Sequence, residues 1–123
     1  MYYRPAPTVT IFLFTYNQED FVREACLSIL AQDYSPLAII ISDDCSTDNT
    51  FQILSEIVKN YTGSHQITLN RNQKNLGLIP HVNLANKMVT TDLLIAAAGD
   101  DISEPNRVTK IVEVYRLSGR IQT

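Results

Sequence analysis

The sequence is short of nearly everything that would mark it for a metal staple, a membrane or a polyanion. Its 123 residues include two cysteines, Cys26 and Cys45, with neither a C-x-x-C pair nor a histidine at metal-ligand spacing, which argues against a zinc site. Cys26 falls on the apolar face of an expected helix and reads as a buried structural thiol. Cys45 follows Asp44 in an expected loop and should be more accessible; neither reads as a nucleophile. No apolar run approaches the roughly 18 to 20 residues that span a bilayer. The N-terminal MYYRPAP lacks the apolar core of a secretory signal, so a cytoplasmic location is expected, with membrane association left open for a longer parent. The formal net charge of -3 supplies no field that would gather nucleic acid, which is not expected as a partner. There is no internal repeat, linker or low-complexity tract, and no glycine in FTYNQED to form a dinucleotide-binding G-x-G-x-x-G turn.

What is present is an ordinary globular composition, 45% hydrophobic and 19% charged, in a length suited to one domain with one core. Four apolar runs, VTIFLF (9–14), LAIIIS (37–42), ITL (67–69) and LLIAAA (93–98), alternate with four helical patterns. Their continuous hydrophobicity predicts strands buried on both faces, as in a parallel sheet covered by helices. The first helix places Phe21, Val22, Ala25, Cys26, Ile29 and Leu30 on one face, with Asn17 as its expected cap. The second carries Phe51, Leu54, Ile57, Val58 and Tyr61, with Ser46, Thr47 and Asp48 as candidate caps. Pro80 suits the first turn of a third helix bearing Leu84, Ala85, Met88 and Val89. Pro105 starts a fourth, with Val108, Ile111, Val112 and Tyr115 inward. The βαβαβαβα order predicts a three-layer α/β/α, Rossmann-like, mostly parallel sheet with right-handed crossovers.

In such a sheet the residues that follow each strand share one rim, where open α/β sheets bind ligands. Thr15, Tyr16 and Asn17 follow the first strand, Asp43 and Asp44 the second, and Asp100 and Asp101 the fourth. Four carboxylates and an aromatic ring therefore converge, and like charges so gathered call for a cation or ligand hydroxyls. Hard divalent cations, magnesium or manganese, take oxygen ligands and are commonly shared between carboxylates and substrate phosphates, so a nucleoside diphosphate would complete the site. Plainer readings stand beside these. Asp43 and Asp44 also suit a turn in SDDCSTDNT, Asp100 and Asp101 a solvated turn, Tyr16 simple packing, and His65 and His81 a loop and a surface helix.

The segments VTIFLFTYNQEDFVREACLSILAQDY, AIIISDDCSTDNT, the N-x-x-N-L-G stretch from Asn72 to Gly77 and AGDDISEPNRV together resemble the family 2 glycosyltransferases, over the whole chain from Thr8 onward. The resemblance implies the GT-A fold, and specifically its nucleotide-sugar-binding half. By that likeness, Phe14, Thr15 and Tyr16 lie along the nucleobase, with the Tyr16 ring stacking on or flanking it. Asp44 accepts a hydrogen bond from the base, and Asp100 and Asp101 meet the ribose and a metal bridging the diphosphate. The resemblance further implies transfer of the sugar from the donor to an acceptor saccharide or other hydroxyl, with inversion and with a catalytic base expected beyond residue 123. The family's D-x-D-D reads Ala98, Gly99, Asp100, Asp101 here, leaving open which acid meets ribose and which meets metal. Its Arg-Asn pair reads Val82, Asn83, with Arg71 or Lys74 as alternative phosphate contacts.

The chain halts at SGRIQT, where another strand could begin, so one domain that forms part of a longer glycosyltransferase is expected. In that case residues 93–98 form an open apolar edge through which the chain would form a homodimer or associate further. Two other readings compete: a non-catalytic interaction module of the same fold, and a nucleotidyltransferase, whose basic phosphate loop is not evident. A phosphoacceptor receiver domain would need acids where Thr15 to Asn17 stand.

Overall fold

The structure, a computed structural model, describes residues 4–121. Its elements are β1 (Val9–Thr15), α1 (Val22–Leu30), β2 (Leu37–Asp43), α2 (Thr50–Asn60), β3 (Gln66–Arg71), α3 (Leu78–Met88), β4 (Leu93–Ala98) and α4 (Arg107–Ile121). The four strands form one all-parallel sheet in the order β3-β2-β1-β4, with Val9 opposite both Leu37 and Leu93. This is the α/β architecture that the alternation of apolar runs and helical stripes implies.

The period of two in each strand divides the core into two unequal parts. On one face Ile11, Leu13, Ile39, Ile41, Ile95 and Ala97 pack with Val22, Cys26 and Ile29 of α1, Leu54 and Ile57 of α2, and Val108 and Val112 of α4. On the other face Phe12 and Ile40 meet Ala85, with Phe14, Met88 and Val89 beside them. Right-handed crossovers explain the split. The connections β1 to β2 and β2 to β3 run one way along the sheet, whereas β3 to β4 runs back past β1, which puts α3 on the opposite face. The order in which strands are added therefore reverses between β1 and β4, and that gap is the topological switch point.

Only β1 and β2 are buried on both faces. The expectation of full burial fails for β3, whose residues are half-buried or exposed, and for β4, where Leu94 and Ala96 are exposed. Both are edge strands, and α3 alone covers that face of the sheet, so the side chains of β4 that point there meet solvent. Two details of α1 also differ from expectation. Asn17 does not cap it: a turn from Gln18 precedes the helix, the cap position is Phe21, and Asn17 sits at φ 49° with its Oδ1 accepting the Thr47 N–H instead. Phe21, outside the helix proper, is 59% exposed and does not join the core. At the start of α2 the cap position is Asn49, which makes no side-chain cap bond; Asp48 before it accepts the Thr50 N–H on Oδ1 at 2.9 Å, and Tyr61 lies just past the helix end.

Candidate functional site at the switch point

The carboxyl ends of the strands bring the sequence-predicted residues together, but in three different conditions. Asp43 is wholly buried and engaged: Oδ1 accepts from Thr15 Oγ1 at 2.7 Å and Ser46 Oγ at 2.6 Å, and Oδ2 accepts the Ser46 N–H at 2.8 Å. Asp43 and Thr15 thus bind β1, β2 and the following loop to one another, and the expectation that Asp43 belongs to the exposed acidic rim is corrected.

Asp44 is also buried, yet it borders a cleft of about 360 Å³ shared with Phe14, Tyr16, Gln18, Asn75 and His81. Its Oδ1 accepts from Asn72 Nδ2 at 2.9 Å and the Leu76 N–H at 2.8 Å, and its Oδ2 accepts the Gly77 N–H at 2.9 Å. Burial alone would push this carboxyl up. The Leu76 amide, the Asn72 side chain, the Gly77 amide and the nearby His81 outweigh it and hold Asp44 below the usual 3.8. It is therefore an anion at neutral pH, and Oδ2, with one protein donor, keeps room for another. Gly77 can reach it because its backbone lies at φ 86°, ψ 169°, a region essentially reserved for glycine.

Asp100 and Asp101, in the turn after β4, are exposed, and among the described residues no hydrogen bond or ion pair reaches either carboxylate. Asp101 borders a larger cleft of about 710 Å³ that runs over the uncovered face of β4, with Phe14, Leu78 and Ala98 common to both clefts. The turn is tight against β1: the Gly99 N–H donates to Phe14 O at 3.0 Å, and a Cβ at Gly99 would collide with the Gln18 side chain.

These carboxylates decide whether a divalent cation suits the site. Among the described residues no three His, Cys, Asp or Glu side chains are gathered closely enough to cage a metal ion. Two exposed carboxylates free of protein partners do fit a hard cation that takes the rest of its shell from phosphate oxygens and water.

Tyr16, 42% exposed, presents its ring at the smaller cleft, and Phe14 lies edge-on to His81 with ring centroids 4.9 Å apart. His81 is the residue that sequence reasoning misplaced. Assigned to a helix surface, it is 2% exposed, and its Nε2 lies 2.7 Å from Ser42 Oγ. Burial drives its pKa below 6.5 against the opposing pull of Asp44 and Asp43, so the imidazole is neutral. A signal was present: His81, Ala85 and Met88 have the i, i+4, i+7 spacing of one helix face. Arg71, offered as a phosphate contact, is instead engaged with Ser46 O at 3.2 Å and lies over the Phe51 ring at 4.9 Å.

A parallel sheet with a buried anion and two free carboxylates around its switch point defines an open α/β domain with a ligand site at the carboxyl ends of its strands. Comparison with known proteins makes the assignment specific: residues 10–120 match the family model for Glycosyl transferase family 2, and the chain belongs to that family. It is 35% identical over 106 residues to the putative glycosyltransferase EpsE of Bacillus subtilis, covering 86% of this chain and 37% of that protein. It is 34% identical over 115 residues to an uncharacterized glycosyltransferase of Haemophilus influenzae, covering 94% and 35% respectively. The chain thus spans about a third of the length of the curated relatives it matches. Among solved structures it is similar to the mannosyltransferase PcManGT of Pyrobaculum calidifontis, in complex with GDP-Man and Mn2+, with TM-score 0.77, 25% identity and coverage of 91% of this chain and 32% of that one. Its fold also matches S. aureus TarS in complex with UDP, with TM-score 0.72, 22% identity and coverage of 85% and 30%. Among the described residues no helix is long and apolar enough to cross a membrane.

Proposed function

We propose that this domain binds the nucleoside diphosphate of an activated sugar at the β1/β4 switch point, for transfer of the sugar to a hydroxyl acceptor. The observation that carries the reading is the convergence of Tyr16, the buried anion Asp44 and the unpaired pair Asp100 and Asp101 at one rim of the sheet. In this reading the nucleobase enters the smaller cleft, flanked by Tyr16 and Phe14 and donating to Asp44, while Thr15 fixes the floor through Asp43. Asp100 and Asp101 hold magnesium or manganese and the ribose. The bound cation would neutralise charge on the leaving diphosphate. GDP-Man with Mn2+ in PcManGT supports a donor and metal of this class.

The larger cleft, continuous with the smaller through Phe14, Leu78 and Ala98, is the natural path toward the sugar and acceptor. Transfer is proposed to invert the anomeric carbon. The acceptor hydroxyl would attack from the side opposite the diphosphate, and a carboxylate from further chain would take its proton.

Calorimetric titration with UDP, GDP, CDP and dTDP, each with and without manganese, tests the reading. Saturable, metal-dependent binding of one nucleotide, weakened at least about tenfold in Asp101→Ala, is expected. A folded chain that binds none of them overturns it.

A further inference from the structure

We propose that His81 is a specificity-determining residue of the nucleobase cleft: a neutral imidazole locked with its proton on Nδ1, which donates to a carbonyl beside the N–H that Asp44 accepts. The proposal rests on the nucleotide-donor reading above and extends it to the kind of base edge the cleft takes.

Asp44 is ionised and can only accept. Asn72 must therefore turn its Nδ2 toward it, at 2.9 Å, leaving Asn72 Oδ1 to accept from Asn70 Nδ2 at 3.1 Å. The second Nδ2 hydrogen of Asn70 goes to Ser42 Oγ at 2.9 Å. Ser42 is fully buried, and among the described residues its hydroxyl has one remaining neighbour, His81 Nε2 at 2.7 Å. A buried hydroxyl left without an acceptor costs about 1 to 3 kcal/mol, so the Ser42 O–H donates to Nε2. Nε2 is thereby the bare nitrogen, and the neutral ring carries its hydrogen on Nδ1. Polarity thus runs from an anion through two amides and a hydroxyl to an imidazole, each member fixed by the one before it.

The leftover donor has no protein acceptor among the described residues. No hydrogen bond reaches His81 Nδ1, yet the one sealed and unpartnered side-chain polar atom among the described residues is His65 Nδ1. His81 Nδ1 is therefore not fully sealed, and because His81 lines the cleft together with Asp44, the proposal places this N–H at the cleft wall. The cleft presents an anionic acceptor and a fixed neutral donor, so it selects an edge with a donor beside an acceptor. A lactam satisfies both at once: its ring N–H, polarised by the adjoining carbonyl, is the stronger donor to a carboxylate, and that carbonyl receives Nδ1–H. Uracil and guanine carry such an edge; cytosine and adenine also set a donor, the exocyclic amine, beside an acceptor, the bare ring nitrogen, but that amine is the weaker donor to a carboxylate, and the preference for the lactam rests on this difference.

Two experiments on the 123-residue chain decide it. In nitrogen-15 spectra of the imidazoles, His81 is expected as the Nδ1–H tautomer, and Ser42→Ala is expected to shift it toward Nε2–H; Nε2–H in the native chain overturns the proposal. In titrations with manganese, UDP and GDP are expected to bind more tightly than CDP and ADP. His81→Phe should lose about tenfold, one hydrogen bond's worth, on UDP or GDP. It should lose nothing on the base-free ribose 5-diphosphate, and His81→Asn, which keeps an N–H near the Nδ1 position, should recover most of the loss. Equal losses with and without the base, or tighter binding of CDP or ADP, overturn the role of His81. Failure of the native chain to bind any nucleotide overturns the donor site itself.

Discussion

The amide of Gly77 donates to Asp44 Oδ2 at 2.9 Å, across 33 residues of chain, and so ties the start of α3 to the end of β2. No atom lies within 4 Å of where a Cβ would stand at Gly77, so space is not the constraint there; φ 86° is. Gly77→Ala is expected to cost about 1 to 3 kcal/mol through backbone strain alone. Urea denaturation would show this as a lower midpoint with an unchanged slope, and an unchanged midpoint would contradict it.

Adjacent acids should behave as opposites. Asp43→Ala strips the acceptor from Thr15 Oγ1, Ser46 Oγ and the Ser46 N–H in a fully buried site, and should destabilise the fold by about 3 kcal/mol or more. Asp101→Ala, at an exposed position, should leave stability within about 0.5 kcal/mol. Thermal unfolding of the two variants side by side measures the contrast, and comparable losses would contradict it.

Acid should weaken the fold in two stages. The folded pKa of His81 lies below 6.5, so below that pH the unfolded chain takes up a proton that the folded chain refuses. The stability contributed by neutral His81 is complete above 6.5 and is lost as pH falls toward its lower folded value. Asp44 follows in the same direction: its contribution is present above 3.8 and is lost as pH falls through its own depressed value. Melting curves between pH 5 and 8 should show a slope that flattens in His81→Gln, and a slope that persists in the variant would count against this account.

Self-association should involve the outer edge of β4. Leu93 and Gly99 donate their N–H groups to Thr8 and Phe14 on the β1 side, so Leu94 and Ala96 turn their backbone groups outward, while the Ala98 carbonyl accepts the Asp101 N–H. Arg107 Nη2 reaches one of these, the Ala96 carbonyl, at 2.8 Å and blunts the edge with a charge. Light scattering over a concentration series is expected to show association of the native chain, and stronger association of Arg107→Ala. Clean monomers for both at every concentration would refute it.

Much of the fold was legible because inner parallel strands are unbroken apolar runs. Residues 37–42 read as a strand and β2 is Leu37–Asp43; residues 93–98 read as a strand and β4 has those bounds. What the runs conceal is lateral position. ITL and LLIAAA look as buried as VTIFLF, but their exposure depends on being the outermost strands, which is a property of the sheet rather than of the segments. The site divides in the same way. Strand ends announce Tyr16, Asp44, Asp100 and Asp101, since any residue after a parallel strand reaches that rim. The partition of the acids into a brace, a buried anion and two free carboxylates depends on Ser46, Asn72 and Gly77, and the burial of His81 on Ser42 from 39 residues earlier.

The pairing of β4 with β1 also bears on how the chain is born. Thr8 and Asp92, which bond to each other at the foot of this pair, are 84 residues apart. At about 5 to 20 residues per second, a ribosome needs roughly 4 to 17 seconds to deliver the second after the first. Throughout that interval β1 can have β2 on one flank and nothing on the other, and the crevice between β1 and β4 does not exist. Until β4 arrives, the nascent chain thus carries a seam of main-chain donors and acceptors without protein partners along the candidate ligand site.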